Sequence, residues 1–372
     1  HLIYIFDDVL YAVAFDIERL EPIGQPVPIV EGIMTVGAIS GAQFSVSDSG
    51  TLVYLAGPAP TLEELPLSWL HATGKVTPLL PSGRNWYSPR FSPDGTRLAL
   101  DILENSLDIW SYDIKRGSLD RLTFDTRALE SDPIWTPDGQ RIVFRRGPSV
   151  GAASNLYWMR ADLTGEVQRL TDSPWTQVAG SWHPSGKFLA FQQASQRNNP
   201  DIWILPMEGD ETSGWKPGTP TMLLGTEASE QNPQFSPDGN WLAYSSNVTG
   251  TSELYVRPFP RAGGPWQISS GGGGGAVWSQ TRQEIFYSTP NQQIMAASYR
   301  VNSGAFQRDP PRMWTKSRHL VRGGRRSFDL HPDGNRFVMA VAPEVETSVK
   351  RDELVFVFNF FDELRRLVPV QK

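Results

Sequence analysis

Short runs of alternating apolar and polar residues follow one another along almost the whole chain, as in Arg97-Leu98-Ala99-Leu100 and Trp241-Leu242-Ala243-Tyr244. A two-residue period predicts strands with one buried face. A turn signal precedes each run. Ser-Pro-Asp-Gly stands at Ser92–Gly95 and Ser236–Gly239, with altered copies at Ser47–Gly50, Thr136–Gly139, His183–Gly186 and His331–Gly334. A seventh copy, Ser279-Gln280-Thr281-Arg282, keeps the flanks without the turn residues. Proline fixes one turn dihedral and Asp-Gly tolerates positive φ, which closes a hairpin. A third strand opens on a polar–aliphatic–aromatic triplet, as in Asp108-Ile109-Trp110, Asn155-Leu156-Tyr157, Asp201-Ile202-Trp203 and Glu253-Leu254-Tyr255. A fourth closes the unit at Arg121-Leu122-Thr123, Arg169-Leu170-Thr171 and Gln267-Ile268-Ser269. The copies lie roughly 43–53 residues apart, and four strands repeated radially at about that period predict an all-β fold, a β-propeller of four-stranded blades.

The ends of the chain bear on closure. Residues 1–32 supply Leu2–Ile5, Leu10–Phe15 and Pro26–Val30 without a first strand; residues 328–372 supply three strands without a fourth, then a short helix from Phe361 to Leu367 stopped by Pro369. Pairing of N- and C-terminal strands, with Pro26–Val30 as the outer strand of the last blade, leaves no open sheet edge. The expectation is one domain, residues 1–372. Residues 1–32 complete the ring, 33–327 form six full blades and 328–372 the closing one, seven in all. Eight blades, two of them incomplete, is the alternative.

Composition changes this picture little. The 33 glycines and 30 prolines lie between hydrophobic strands, as turn-rich β structure requires. A net charge of −6 argues against nucleic acid as partner, and no stretch is apolar enough to insert in a membrane. The chain opens at His1 within a strand pattern, as expected of a piece of a longer protein whose targeting information lies upstream.

The Ser-Pro-Asp-Gly hairpins with their Asp-Ile-Trp strands resemble the TolB-type, WD40-like (PD40) propeller repeats of bacteria. Leu10–Glu21, Glu253–Pro260 and Val355–Leu364 are similar to segments of the C-terminal sensor propeller of bacterial eukaryote-like serine/threonine kinases. The resemblance implies an extracytoplasmic (periplasmic or cell-surface) sensor or interaction domain. The chain itself carries no Gly-x-Gly-x-x-Gly, His-Arg-Asp or Asp-Phe-Gly, so kinase chemistry is not expected of it.

Candidate catalytic chemistry is thin. Gly147-Pro148-Ser149-Val150-Gly151 matches the Gly-x-Ser-x-Gly nucleophile pattern, but it falls in a strand-to-strand loop with no helix after it, so Ser149 reads as a loop residue. His183 and His331 stand where sister repeats carry Ser or Thr, and read as hairpin residues rather than bases. With no cysteine and no histidine pair at ligand spacing, neither metal nor cofactor is expected. The hairpin aspartates Asp48, Asp94, Asp138, Asp238 and Asp333 read as turn-bonding groups.

Recognition is expected on the face opposite the Asp-Gly hairpins, where segments leading into the first strands converge on a central channel. Those segments supply Trp86, Tyr87, Glu130, Asp132, Gln177, Glu230, Gln231, Arg325 and Arg326, with the off-pattern Trp175 and Trp215 as stacking aromatics. Carboxylates facing arginines across a narrow opening suit a protein, peptide or small polar ligand. The reading is a non-catalytic binding propeller; the alternative is a hydrolase or lyase with its site at the channel mouth.

Overall fold

The computed structural model describes residues 1–6, 9–36, 41–57, 65–148, 152–195, 199–302, 304–321, 326–341 and 353–369. Where the uninterrupted repeat predicts one domain, the contacts cluster into two compact units, His1–Glu63 with Val345–Lys372, and Glu64–Glu344.

The larger unit holds six antiparallel sheets. Sheet 1 runs Arg90–Phe91, Arg97–Leu103, Leu107–Asp113, Ser118–Arg121; sheet 2 runs Leu129–Trp135, Arg141–Gly147, Asn155–Arg160, Gln168–Arg169. Sheet 3 begins Gln177–Trp182, Phe188–Gln193, Asp201–Glu208, and its last strand pairs with both Lys216–Pro217 and Thr221–Leu224. Sheet 4 runs Glu230–Phe235, Trp241–Ser246, Glu253–Pro258, Trp266–Gln267. Sheet 5 begins Gly274–Trp278, Glu284–Ser288, Gln293–Asn302, the last pairing with both Ala305–Arg308 and Arg312–Arg318. Sheet 6 is composite: Phe328–Leu330 and Arg336–Met339 from late in the chain, then Leu65–His71 and Val76–Arg84 from early in it.

The last sheet is therefore completed by Leu65–His71 and Val76–Arg84, where Pro26–Val30 was expected. Arg336–Met339 pairs with His71–Ser68, whereas Pro26–Val30 lies within Glu21–Glu31, paired with Val9–Asp16. The first strands of the six sheets contact one another in order, and that of sheet 6 contacts that of sheet 1.

Each junction between neighbouring sheets is filled by its own buried apolar cluster. Trp69 and Leu67 of sheet 6 meet Phe91, Leu98 and Leu100 of sheet 1, and Ala99 meets Trp135 and Phe144 between sheets 1 and 2. Trp158 stacks on Trp182 between sheets 2 and 3, centroids 6.4 Å apart. Ile202 and Phe235 meet between sheets 3 and 4, Trp241 and Trp278 between 4 and 5, and Phe286 and Phe337 between 5 and 6. The alternation in the sequence is the record of these faces: each strand presents side chains to two neighbouring sheets.

The hairpin chemistry is as expected from the repeat. Asp94 Oδ1 accepts from the Ser92 hydroxyl (2.6 Å) and the Thr96 N–H (3.1 Å), while the Gly95 N–H donates to Ser92 O (2.8 Å). The Ser92 bond holds the Asp94 carboxyl below its ordinary range. Asp138, Asp238 and Asp333 bond their own turns in the same way. His183 and His331 are hairpin residues, each lying on the glycine of the next sheet's hairpin, Gly239 and Gly95 respectively.

The smaller unit contains the sheets Leu2–Phe6/Val9–Asp16/Glu21–Glu31 and Leu354–Val357/Leu52–Leu55/Phe44–Val46, and the pair Thr35–Val36/Gly41–Ala42. Its core joins Leu10, Ala12, Ile33 and Leu52 to Phe360 and Leu364 of the helix Phe360–Leu367. The C-terminal strand Leu354–Val357 pairs with Leu52–Leu55 and not with the strands of residues 1–32 expected to close the ring. The hairpin copy Ser47–Gly50 belongs to this unit.

Gly95 gives the first testable consequence. Its φ is +71°, and a Cβ there would lie 2.7 Å from His331 Nε2. Gly95→Ala is expected to lose about 1–2 kcal/mol from the left-handed backbone alone, and more from the contact with His331. Gly165, also at positive φ but with nothing within 4 Å of its Cβ position, supplies the control. Thermal unfolding should place Gly95→Ala clearly below Gly165→Ala.

Candidate functional site

The residue two places before each hairpin copy of the larger unit is Arg90, Ile134, Ser181, Gln234, Val277 and Asp329, one from each of its sheets. All six line a single central cavity of about 380 Å³. Its far end is walled by the hairpin prolines Pro93, Pro137, Pro184, Pro237 and Pro332. A second cavity of about 180 Å³, lined by Asp132, Arg145, Val178, Gln192, Gln231 and Asn232, lies on the side from which the first strands begin. Arg90, Ile134, Gly180, Gln234 and Arg326 border both. The two spaces therefore meet at a waist that holds two arginines.

The waist is a network of cross-sheet bonds. Arg90 Nη1 donates to Pro89 O (2.6 Å) and Arg326 O (3.0 Å). Arg326 Nη1 donates to Ala276 O (2.8 Å), and its Nη2 approaches Asp329 Oδ1 at 3.4 Å. Asp329 Oδ2 accepts the Phe91 N–H at 3.0 Å. Asp132 accepts from the Ser88 hydroxyl at 3.1 Å and pairs with Arg145 at 2.7 Å. Burial pushes the Arg326 guanidinium down to about 9, with Arg90 beside it adding to the shift and Asp329 opposing it. Burial lowers Arg90 too, against the pull of Asp329, Asp132 and Asp101. Arginine side chains keep their charge at neutral pH.

Of the residues expected at the mouth, Asp132, Gln231 and Arg326 are brought together around the smaller cavity. Glu130, Gln177 and Glu230 are not. All three are buried and turned into the sheet junctions. Glu130 bonds the Thr123 hydroxyl and pairs with Arg146 at 3.5 Å, Gln177 bonds Thr171 and Gln193, and Glu230 accepts from the Thr226 hydroxyl at 2.6 Å. Trp86 and Tyr87 are core residues. Trp175 is half-buried and lines neither central cavity. Ser149 and Arg325 lie outside the described residues.

A β-bulge explains the displacement. The register between first and second strands shifts at Ser131/Ile134, Ala179/Ser181, Gln231/Gln234 and Gly274/Val277. Within the shifts, Asp132 and Asn232 take positive φ (57° and 54°). One extra residue reverses which face every earlier side chain occupies. Residues five places before the hairpin (Val178, Gln231, Arg326) therefore face the cavity, and those six places before it (Glu130, Gln177, Glu230) face inward.

A Ser–His pair escaped sequence reasoning because no spacing links its members. His319 Nε2 lies 2.7 Å from Ser288 Oγ, in a cavity of about 260 Å³ with Asn232, Gly273–Gly275 and Arg326. Burial pushes the His319 imidazole down to about 4, so it is neutral. Its Nδ1 has no hydrogen-bond partner among the described residues, so no carboxylate there orients the ring as a triad requires. No cluster of three or more His, Cys, Asp or Glu side chains suited to a metal occurs among the described residues.

Six antiparallel sheets around a central cavity are consistent with a β-propeller. Residues 72–214 match the family described as the TolB beta propeller domain. A structure from Agrobacterium tumefaciens described as a TolB has the same fold at 18% identity, over 76% of this chain and 99% of that one, with a TM-score of 0.56. The uncharacterised protein Atu1656 of Agrobacterium fabrum is 28% identical over 238 residues, 61% of this chain and 76% of that protein. The uncharacterised peptidase YuxL of Bacillus subtilis is 27% identical over 200 residues, 44% of this chain and 30% of the peptidase. The chain thus matches less than a third of that peptidase's length. No helix among the described residues is long and apolar enough to cross a membrane.

The position of Glu130 supplies a test. Burial raises its carboxyl above the ordinary range. The folded state thus favours the protonated form, and stability falls as pH rises through the shifted value. Gln177 holds the equivalent position with the same threonine bond. Glu130→Gln should therefore be the milder of the two substitutions at pH 7 and flatten that part of the stability–pH curve. Glu130→Ala should cost about 1–3 kcal/mol by stranding buried partners. Equal stability of both variants would contradict the inward placement.

Proposed function

We propose that residues 64–344 form a closed six-bladed propeller that binds, without catalysis, a small polar ligand or an extended protein segment entering from the bulged face. The observation that carries this reading is the pair of cavities meeting at the Arg90–Arg326 waist, lined from all six sheets. Pockets of this size with a few convergent polar groups on a rigid scaffold are the usual form of a ligand site. The role fits a sensor or interaction portion of a larger bacterial protein, working outside the cytoplasm; this part rests on the resemblance of the repeats and terminal segments alone.

A second reading, a hydrolase, draws on the peptidase YuxL among the relatives and on the Ser288–His319 pair. Against it stands the histidine without an orienting carboxylate among the described residues. Turnover of peptides or aryl esters by the wild type, lost in Ser288→Ala, would favour this reading over the first.

The binding reading is tested by a thermal-shift screen of amino acids, organic acids, sugars and short peptides. It is repeated with Val178→Trp, which fills the smaller cavity, and with Gln140→Trp, on an exposed hairpin residue. Stabilising compounds should lose their effect in Val178→Trp and keep it in Gln140→Trp. The opposite pattern would put the binding face on the hairpin side.

A further inference from the structure

The waist arginines are not fully used by the protein. A guanidinium carries five N–H donors in a planar fork. Arg90 spends both protons of Nη1 on the carbonyls of Pro89 and Arg326; among the described residues its Nε and Nη2 make no further hydrogen bond. Arg326 spends one Nη1 proton on Ala276 O and one Nη2 proton on Asp329, and its buried Nε has no partner. The neighbouring carboxylates are engaged elsewhere: Asp329 by the Phe91 N–H and Arg326, Asp132 by Ser88, Ser131 and Arg145. Arg90 has no carboxylate within ion-pair distance among the described residues. Two like charges thus lie close together, Arg90 touching no carboxylate at ion-pair distance although Asp329, Asp132 and Asp101 act on it from further away. An oxyanion between them would relieve that repulsion and accept the forked donors.

The larger cavity adds a second requirement. Beyond the arginines its wall combines the apolar Ile134, Trp135, Trp182, Phe235, Val277 and Trp278 with the polar Ser92, Ser181, Gln234, Ser236 and Asp329. The indole N–H groups of Trp135 and Trp278 are already committed to Arg90 O and Gln234 O, both at 3.0 Å. These two rings therefore offer that space chiefly apolar surface, which favours a ligand body without many hydroxyls.

We propose that the central cavity of this propeller takes a small amphiphilic oxyanion, its carboxylate or phosphate held by Arg90 and Arg326 and its apolar body in the chamber of about 380 Å³ lined by Trp135, Trp182 and Trp278. The inference rests on the binding reading above and narrows it to a ligand class. Pure sugars and cations are excluded by it; aryl and short alkyl acids fit.

Isothermal titration of the full chain with benzoate, phenyl phosphate and benzamide tests it. Benzoate or phenyl phosphate should bind at least about ten-fold more tightly than neutral benzamide, as a charge-assisted bond lost to an uncharged isostere implies. The tighter of the two identifies the headgroup. Inorganic phosphate should compete with it on the wild type. Arg90→Gln should weaken binding about ten-fold or more; because Arg90 also ties two sheets, the wild-type competition stands as the second readout should that variant unfold. Equal affinity for benzoate and benzamide, no competition by phosphate, or no binding by any probe would each overturn the proposal. A neutral or cationic ligand from the screen that loses its effect in Val178→Trp would leave the binding reading standing while this inference fails.

Discussion

The inner edge of each sheet is the constraint on which the larger unit depends. A first strand such as Phe328–Leu330 has a ladder partner on one side only, which leaves its other row of N–H and C=O groups without a strand to bond. Buried backbone groups must be bonded, and an unpaired edge invites the wrong partner. Here the edges are stitched across the junctions by side chains. The Phe91 N–H goes to Asp329 and the Phe235 N–H to Ser181 Oγ (2.7 Å). Trp135 and Trp278 indoles, the Gln234 amide and the guanidinium groups of Arg90 and Arg326 take the carbonyls. The residues that build the ring are thus the residues that line its centre, and what is left of their hydrogen-bonding capacity defines what the centre can bind.

Much of this fold was legible because the turn chemistry is local. Pro, Asp and Gly at fixed offsets close a hairpin wherever they occur, so the repeat predicted strands, hairpins and the structural role of the aspartates. The same locality says nothing of which sheet a hairpin joins. Ser47–Gly50 closes a hairpin as its sister copies do, yet its strands pair with Leu354–Val357 in the smaller unit. Sheet 6 is instead completed by Leu65–His71, whose pairing with Arg336–Met339 spans most of the chain. A turn signal says that two strands meet; which third strand joins them is decided by long-range packing that no short window contains.

The candidate site was half legible for a different reason. The correct segments were identified, and Asp132, Gln231 and Arg326 do meet around a cavity. Glu130, Gln177 and Glu230 were placed there because they lie in the segments that lead into the first strands, and position along a segment does not say which face a side chain takes beside a bulge. Ser88, Asp132 and Asn232 before Pro89, Pro133 and Pro233 were the available signal, since short polar residues tolerate positive φ at a bulge. Aligning the copies on their hairpins would also have picked out Arg90 and Asp329, two places before the turn. The Ser288–His319 pair had no such signal, because its members come from different strands of sheet 5 and the segment after it.

The tie between Asp329 and the Phe91 N–H joins the last sheet to the first, so it tests the account of ring closure most directly. Hydrogen exchange followed by mass spectrometry on the full chain should show Asp329→Ala losing protection in peptides from Arg90–Leu103, Leu65–His71 and Phe328–Met339. Peptides from Phe188–Gln193, on the opposite side of the ring, should stay protected. Wild-type protection in sheets 1 and 6 of the variant would contradict a ring closed by cross-sheet bonds to the inner edges.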